Sequence, residues 1–358
     1  MPELPEVETI KRGLSKFCIQ KRINRVEVRC DKSFIGPKEL IEGAKIVGIR
    51  RFGKALVFDF DNSVSMMVHL RMTGQLIYRS EGKEAGADIM EVAKNQSLGD
   101  DDTFAGGHPT DSFFAALPNK QTRVIFEMSG GGNATHDGGD ARHSREKNDA
   151  SGTLYFNDQR KFGFCKVIPT VEVEDDSFIK SLASEPWDID VDEFYQKLQR
   201  RKSSAIKAVI LDQKVICGLG NIYADEALFD AKIHPETPAG NLSREQAEQL
   251  VKSAQKVMEA SINSGGSTMA TYVRADGTKG DYLEKFAQVF RREGGPCVRC
   301  GAEIKKIRVA GRGTHYCENC QKLQMRDGRG QCDKLEQAAM TEQGDKQGDK
   351  KRQRGQND

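Results

Sequence analysis

Between about Asn24 and Tyr78, apolar and polar residues alternate over short runs, RVEVRC, KIVGIRRF, ALVFDF, VSMMVHL and GQLIY, each bounded by Gly, Asp or Asn. A period of two puts every second side chain on one face, so these runs predict strands of an antiparallel sheet or sandwich. The same pattern returns in TRVIFEM (122–128) and TLYFNDQRKFGFCKVI (153–168). Ahead of the strands, Val7, Ile10, Leu14 and Phe17 are spaced to form one helical stripe. Pro5 fits the first turn of that helix, and Glu3, Glu6 and Glu8 fall at or beside its positive end.

After Pro186 and Trp187 the period becomes helical through VDEFYQKLQRR, SSAIKAVILD and NIYADEALFD. A long helix follows Ser243, where Gln246 three residues on completes a capping box. The sheet pattern is interrupted twice, over about 80–120 and 130–152. The second stretch contains no Val, Ile, Leu, Met, Cys or aromatic residue, so it has little to bury against its ordering entropy. Both are expected to be disordered insertions, with His108, His136 and His143 as solvated loop histidines. These patterns predict an α+β chain: a β-rich N-terminal domain over 1–170, a helical domain over 171–290, a small cysteine-rich unit over 291–322, and a disordered polar tail over 323–358.

No apolar run approaches the roughly 20 residues that cross a bilayer, and the acidic start, MPELPEVETI, has no signal-peptide pattern. A cytoplasmic protein is expected. The net charge of +2 hides opposed regions. Residues 1–79 carry 15 Lys/Arg against 9 Asp/Glu, residues 285–326 carry 10 against 3, and residues 80–151 carry 7 against 13. Local basic density sets the potential a polyanion feels, so nucleic acid remains a fitting partner. Nine cysteines in a reducing compartment suggest metal rather than disulfides. Cys297, Cys300, Cys317 and Cys320 have the C-x2-C-x16-C-x2-C spacing of a zinc ribbon. Four thiolates leave no open position, so one structural Zn2+ is expected. The hairpin between the pairs would present Lys305, Lys306, Arg308 and Arg312 to phosphates.

Pro2 follows the initiator methionine. Removal of Met1 would free a secondary amine, of which roughly a tenth to a fifth is neutral at pH 7 for an ordinary α-amino pKa. Attack by such an amine on a sugar C1′ gives an iminium that serves as an electron sink. Glu3 and Glu6 would move protons or stabilise the cation. The plainer alternative is that Pro2 and Pro5 only begin a helix.

PELPEVET at the start, GLGNIYADEALF (218–229), and PCVRCGAEIKKIRVAGRGTHYCENCQ near the end together resemble bacterial formamidopyrimidine-DNA glycosylases. The match spans nearly all of 1–322 outside the insertions. The resemblance implies an N-terminal β-sandwich flanked by helices, a helix-two-turns-helix domain and a four-cysteine zinc finger. It also implies a bifunctional enzyme: excision of oxidised purines such as 8-oxoguanine and formamidopyrimidines from double-stranded DNA, then β,δ-elimination at the abasic site. A monomer is expected. The resemblance places the nucleophile on Pro2, the proton-handling acid on Glu3 with Glu6 beside it, the β-elimination lysine on Lys54, and the δ-elimination arginine on Arg312. It puts the helix-two-turns-helix lysine on Lys207 and a phosphate-binding asparagine on Asn221, at a helix start whose amides would face phosphate. Met72, Arg160 and Phe162 match the residues that fill the stack vacated by a flipped base, although Met72 and Phe162 taken singly also suit a core. His69, Gln121 and Ser203 complete the implied DNA contacts. The stretch 265–282 matches a loop that closes over the base.

The chain departs from the family pattern at three places. KQTR, with Gln121 and Arg123, stands where a DNA-contacting histidine is usual. VFR, with Phe290 and Arg291, replaces a tyrosine-containing sequence, and Ser203 replaces a lysine near Arg200, Arg201 and Lys202. Each change removes one contact and leaves a cation nearby. Two other functions fit parts of the pattern: an endonuclease VIII type glycosylase for oxidised pyrimidines, whose start is PEGPE-like, and a non-catalytic zinc protein that binds damaged DNA.

Overall fold

The computed structural model describes residues 2–81, 103–107, 116–130, 151–266 and 287–324. Helix α1 (Leu4–Cys18) starts one residue before Pro5. Ten strands follow: β1 (Arg22–Val28), β2 (Phe34–Ile35), β3 (Ile46–Phe52), β4 (Ala55–Phe60), β5 (Val64–His69), β6 (Gly74–Ser80), β7 (Thr103–Gly107), β8 (Thr122–Ser129), β9 (Gly152–Asp158) and β10 (Phe164–Pro169). They make two five-stranded sheets, ordered β1-β8-β9-β6-β7 and β2-β10-β5-β4-β3. Every pairing is antiparallel except the short β10–β2 contact. Val124, Phe126, Leu154 and Phe156 of one sheet share a core with Leu56, Phe58, Met66 and Val68 of the other. Val7, Ile10 and Leu14 of α1 join it. Each fully buried side chain of this kind contributes about 1.5–3 kcal/mol.

The first insertion contains structure where disorder was expected. Thr103–Gly107 forms β7 and pairs with β6. The physical reason is Phe104, a single aromatic residue buried against α1, whose ring occupies the space a Cβ on Gly13 would need. Most of both insertions, their histidines, the 267–282 part of the closing loop and the tail beyond 324 lie outside the described residues.

The helical half contains α2 (Ser177–Lys180), α3 (Val191–Arg200), α4 (Ile206–Ile210), α5 (Asn221–Asp230) and α6 (Arg244–Asn263). Helix α6 has the expected capping box, with Gln246 N–H donating to Ser243 Oγ (3.2 Å) and Ser243 N–H to Gln246 Oε1 (2.9 Å). The second core collects Ile206, Val209, Tyr223, Leu228, Leu250 and Val257. Two contacts cross the boundary expected at 170. Val173 and Ile179 pack with Ala55, Val57 and Met67 on the sandwich. Leu4, conversely, is buried in the helical core. A last hairpin, β11 (Ile304–Val309) and β12 (Arg312–Cys317), leans on α5.

Arg51 of β3 ties the halves together. Its guanidinium meets Glu8 of α1 at 2.9 Å and bonds both oxygens of Glu185, which also accepts the Gly53 N–H. Burial opposes the charge on Arg51, but Glu185 and then Glu8 outweigh it and raise its pKa. Burial likewise opposes ionisation of Glu8, yet Arg51, Lys11 and Arg12 hold its carboxyl below the usual range. Arg51→Met removes the cationic partner of Glu185 and one of the three cations at Glu8, and is expected to destabilise the protein by about 3 kcal/mol at neutral pH. A depressed carboxylate stabilises the fold above its unfolded pKa, and this contribution is lost as pH falls through the folded value. Calorimetric melting should therefore show a gap between variant and wild type that narrows in acid. Equal melting at neutral pH would contradict the assignment.

Candidate active site

The two motifs at residues 2–6 and 218–223 are one structural unit. Leu4 N–H donates to Gly218 O (3.2 Å), and the Leu4 side chain fills the space above Gly218, whose φ of +96° suits glycine. Next to it, the buried Glu3 carboxylate enters the N-terminus of α5. It accepts the amides of Gly220 (2.7 Å), Ile222 (3.0 Å) and Tyr223 (3.4 Å). A Cβ on Gly220 would lie 2.3 Å from Glu3 Cδ, so only glycine admits the carboxylate there. Glu6 lies one turn on. It accepts the Glu3 N–H (2.9 Å) and the Tyr223 hydroxyl (2.6 Å), and Tyr223 also bonds Ser261.

Around this unit opens a cavity of about 410 Å3. Pro2, Glu3, Glu6, Lys54, His69, Met72, Asn221 and Arg312 all line it. Lys54 sits in the β3–β4 turn and donates to Leu219 O at 2.6 Å. Burial lowers its pKa, and Glu3 offsets part of that effect. Glu3 shows the converse: burial raises its pKa, Lys54 opposes the shift, and Glu6 adds to it. Two titratable groups with pKa values pushed toward neutrality in one cavity suit proton transfer at ordinary pH. His69 is pushed down to about 3 by burial, with Arg71 and Lys54 reinforcing the shift. Its Nδ1 accepts the Arg71 N–H (3.0 Å). The ring is neutral, so it offers an Nε2–H donor rather than a cation.

Glu3 takes three of the amides at the start of α5. Asn221 itself lines the cavity while its Nδ2 holds Gly313 O (3.0 Å). Lys207 does not line the cavity: it is fully buried, 2.6 Å from Asp225 Oδ1 and bonded to Gly313 O and Thr314 Oγ1 of β12. Its charge fixes the finger hairpin against the helix-two-turns-helix. Arg123 is buried and bonds Asp158 O and Lys120 O, so it does not stand in for a surface cation. Gln121 shapes the turn before β8, and Ser203 is exposed in the turn before α4; neither lines the cavity. Arg160 and Phe162 stand on the β9–β10 turn, and Phe162 is 61% exposed, unusual for so large an apolar group.

The four cysteine sulfurs lie within 4.8 Å of one another, with Cys297–Cys320 at 3.9 Å and Cys300–Cys317 at 3.5 Å. Zinc–sulfur bonds of about 2.3 Å at tetrahedral angles put sulfurs about 3.8 Å apart. The donor set therefore fits one Zn2+ in a closed, structural role. Of the finger's cations, Lys305 and Lys306 pair with Glu303 and Glu293, and Arg312 reaches the cavity. Sequence reasoning missed the acids that brace this arrangement. Glu226 caps the amides of Gln288, Val289 and Phe290, and Asp225 holds both Lys207 and His315. The signal was available: two adjacent acids interrupt NIYADEALF, a helix otherwise buried on nearly every side.

Comparison with known proteins agrees with this architecture. Residues 1–165 match the formamidopyrimidine-DNA glycosylase N-terminal domain, 182–273 its H2TH domain, and 294–323 the zinc finger found in FPG and IleRS. The chain is similar to the formamidopyrimidine-DNA glycosylase of Latilactobacillus sakei, with 35% identity over 90% of this chain and 98% of the relative. It is equally similar to that of Pelotomaculum thermopropionicum, with 35% identity over 90% and 100%. Among solved structures, a Lactococcus lactis FPG variant bound to Fapy-dG-containing DNA matches with a TM-score of 0.69, 31% identity and coverage of 90% and 100%. The Lactococcus lactis Fpg bound to abasic-site DNA matches with a TM-score of 0.68, 31% identity and the same coverage. Three domain matches in order, on a chain whose first and third motifs converge on one cavity, place it plainly: the protein belongs to the formamidopyrimidine-DNA glycosylase family.

Proposed function

We propose that this protein excises oxidised purines from double-stranded DNA and then cleaves the strand at the resulting abasic site. One observation carries this reading. Pro2, Glu3, Glu6, Lys54 and Arg312, drawn from both ends of the sequence, line a single cavity large enough for a flipped base. With Met1 removed, the neutral Pro2 amine attacks C1′ as the bond to the damaged base breaks, and the proton it sheds is taken up by the departing base. Glu3, its pKa raised by burial, gives a proton to the sugar ring oxygen as the ring opens to an iminium. Loss of a C2′ proton then expels the 3′ phosphate. Lys54, its pKa lowered, is the fitting base for that step. A second elimination expels the 5′ phosphate, and Arg312 at the cavity edge neutralises the departing charge. Among the described residues no helix is long and apolar enough to cross a membrane; we read the protein as a cytoplasmic monomer acting on the chromosome.

Pro2→Gly is expected to reduce borohydride-trapped complex on 8-oxoguanine duplex at least tenfold while duplex affinity changes little, because the amine supplies chemistry rather than binding. Equal trapping by both proteins would remove Pro2 from the mechanism, and preferential trapping on thymine glycol duplex would redirect the substrate to pyrimidines. Cys317→Ser should lose the single zinc ion and weaken duplex binding at least tenfold, since Arg312 and Cys317 are the two ends of one strand of the pinned hairpin. Zinc content by emission spectroscopy and a binding titration check it; full affinity without metal would separate the finger from DNA recognition.

A further inference from the structure

The β5–β6 turn carries Met72 and the β9–β10 turn carries Arg160 and Phe162. Neither turn belongs to a rigid element, yet a wedge that enters a base stack must keep its parts in register. The two turns meet on one side chain, Asp158, which is 1% exposed. Its Oδ2 accepts the amides of Phe162 (2.8 Å) and Gly163 (2.7 Å). Its Oδ1 accepts the Arg160 amide (3.1 Å) and the Thr73 hydroxyl, and Thr73 Oγ1 in turn accepts the Arg160 amide (3.0 Å).

The surroundings fit that arrangement. Lys161 takes a left-handed φ of +57°, which curls the turn around the carboxylate. A Cβ on Gly163 would stand 2.9 Å from His69 O and 2.8 Å from the Phe156 ring, so glycine lets the two turns touch. From behind, the buried Arg123 donates to Asp158 O (2.7 Å), and Asp158 N–H donates to Gln121 O (2.9 Å). Arg123 and the Gln121 carbonyl of KQTR thus brace this hub.

We propose that Asp158 is the positioning residue of base eviction: one buried carboxylate fixes Met72, Arg160 and Phe162 as a single wedge. The inference rests on the glycosylase reading above and concerns only the step that unstacks the base. A carboxylate satisfied by four donors is a strong anchor, whereas an asparagine at the same place turns one acceptor oxygen into an N–H that opposes its former donors. Asp158→Asn should therefore slow single-turnover release of 8-oxoguanine from duplex by about tenfold or more, equivalent to about 1.4 kcal/mol or more of barrier. Strand cleavage at a preformed abasic site, where no base remains to be unstacked, should stay within about twofold of wild type. A 2-aminopurine beside the lesion should report weaker insertion through a smaller fluorescence rise.

Thr73→Val, which removes the two cross-turn bonds of the Thr73 hydroxyl and leaves the carboxylate in place, should show the same selective loss in smaller measure, and Thr73→Ser should restore it. These two variants decide the matter if Asp158→Asn does not fold. Equal loss of both reactions, or excision unchanged in folded Asp158→Asn or Thr73→Val, would overturn the proposal. Absence of excision by the wild-type protein would instead overturn the glycosylase reading.

Discussion

Everything in the site depends on one carboxylate meeting one helix end. Glu3, a residue of the first domain, takes three amides at the start of α5, a helix of the second. The amides of a helix start need acceptors, which the Glu3 carboxyl supplies whether or not it holds a proton, and buried N–H groups are costly to leave unpaired. The same contact holds the Pro2 nitrogen over the cavity, because Pro2 is joined directly to the anchored residue. Docking of the domains and assembly of the reactive centre are therefore one event.

The pattern of a buried acid gathering amides recurs through the molecule. Glu226 gathers those of 288–290 and so seats the chain that leads into the zinc finger. Asp225, one residue earlier, fixes Lys207 and His315, and with them β12, whose first residue is Arg312. Asp158 gathers the wedge turns. Each site is held by charge-assisted bonds inside a low-dielectric setting where they are strong. The zinc ion pins one end of the finger hairpin, while Lys207 pins its flank.

Much of this was legible in the sequence because it rests on local signals. Strand alternation, the capping box at Ser243 and the paired CxxC spacing each follow from neighbours a few residues apart. Pro2, Glu3, Glu6, Lys54 and Arg312 were legible through their motifs, and they do converge. What the chain concealed was the partner of each motif. Asn221 and Lys207 sit in recognisable runs, but nothing local says that Glu3 fills the helix start, or that Asp225 buries the lysine. Phe104 shows the same limit from the other side: one aromatic residue in a polar stretch is enough to seat a strand when a glycine on a neighbouring helix leaves room for it. Arg123 reads as a surface cation in KQTR, and only the packing of β8 against β9 turns it inward.

The most direct test of the central contact is amide hydrogen exchange, read residue by residue, in wild type and Glu3→Ala. With the carboxylate gone, the amides of Gly220, Ile222 and Tyr223 lose their acceptor, and the account predicts that their protection falls selectively while the amides within α3 and α6 keep theirs. Unchanged protection at those three positions would show that the helix start does not depend on Glu3 and would contradict the account.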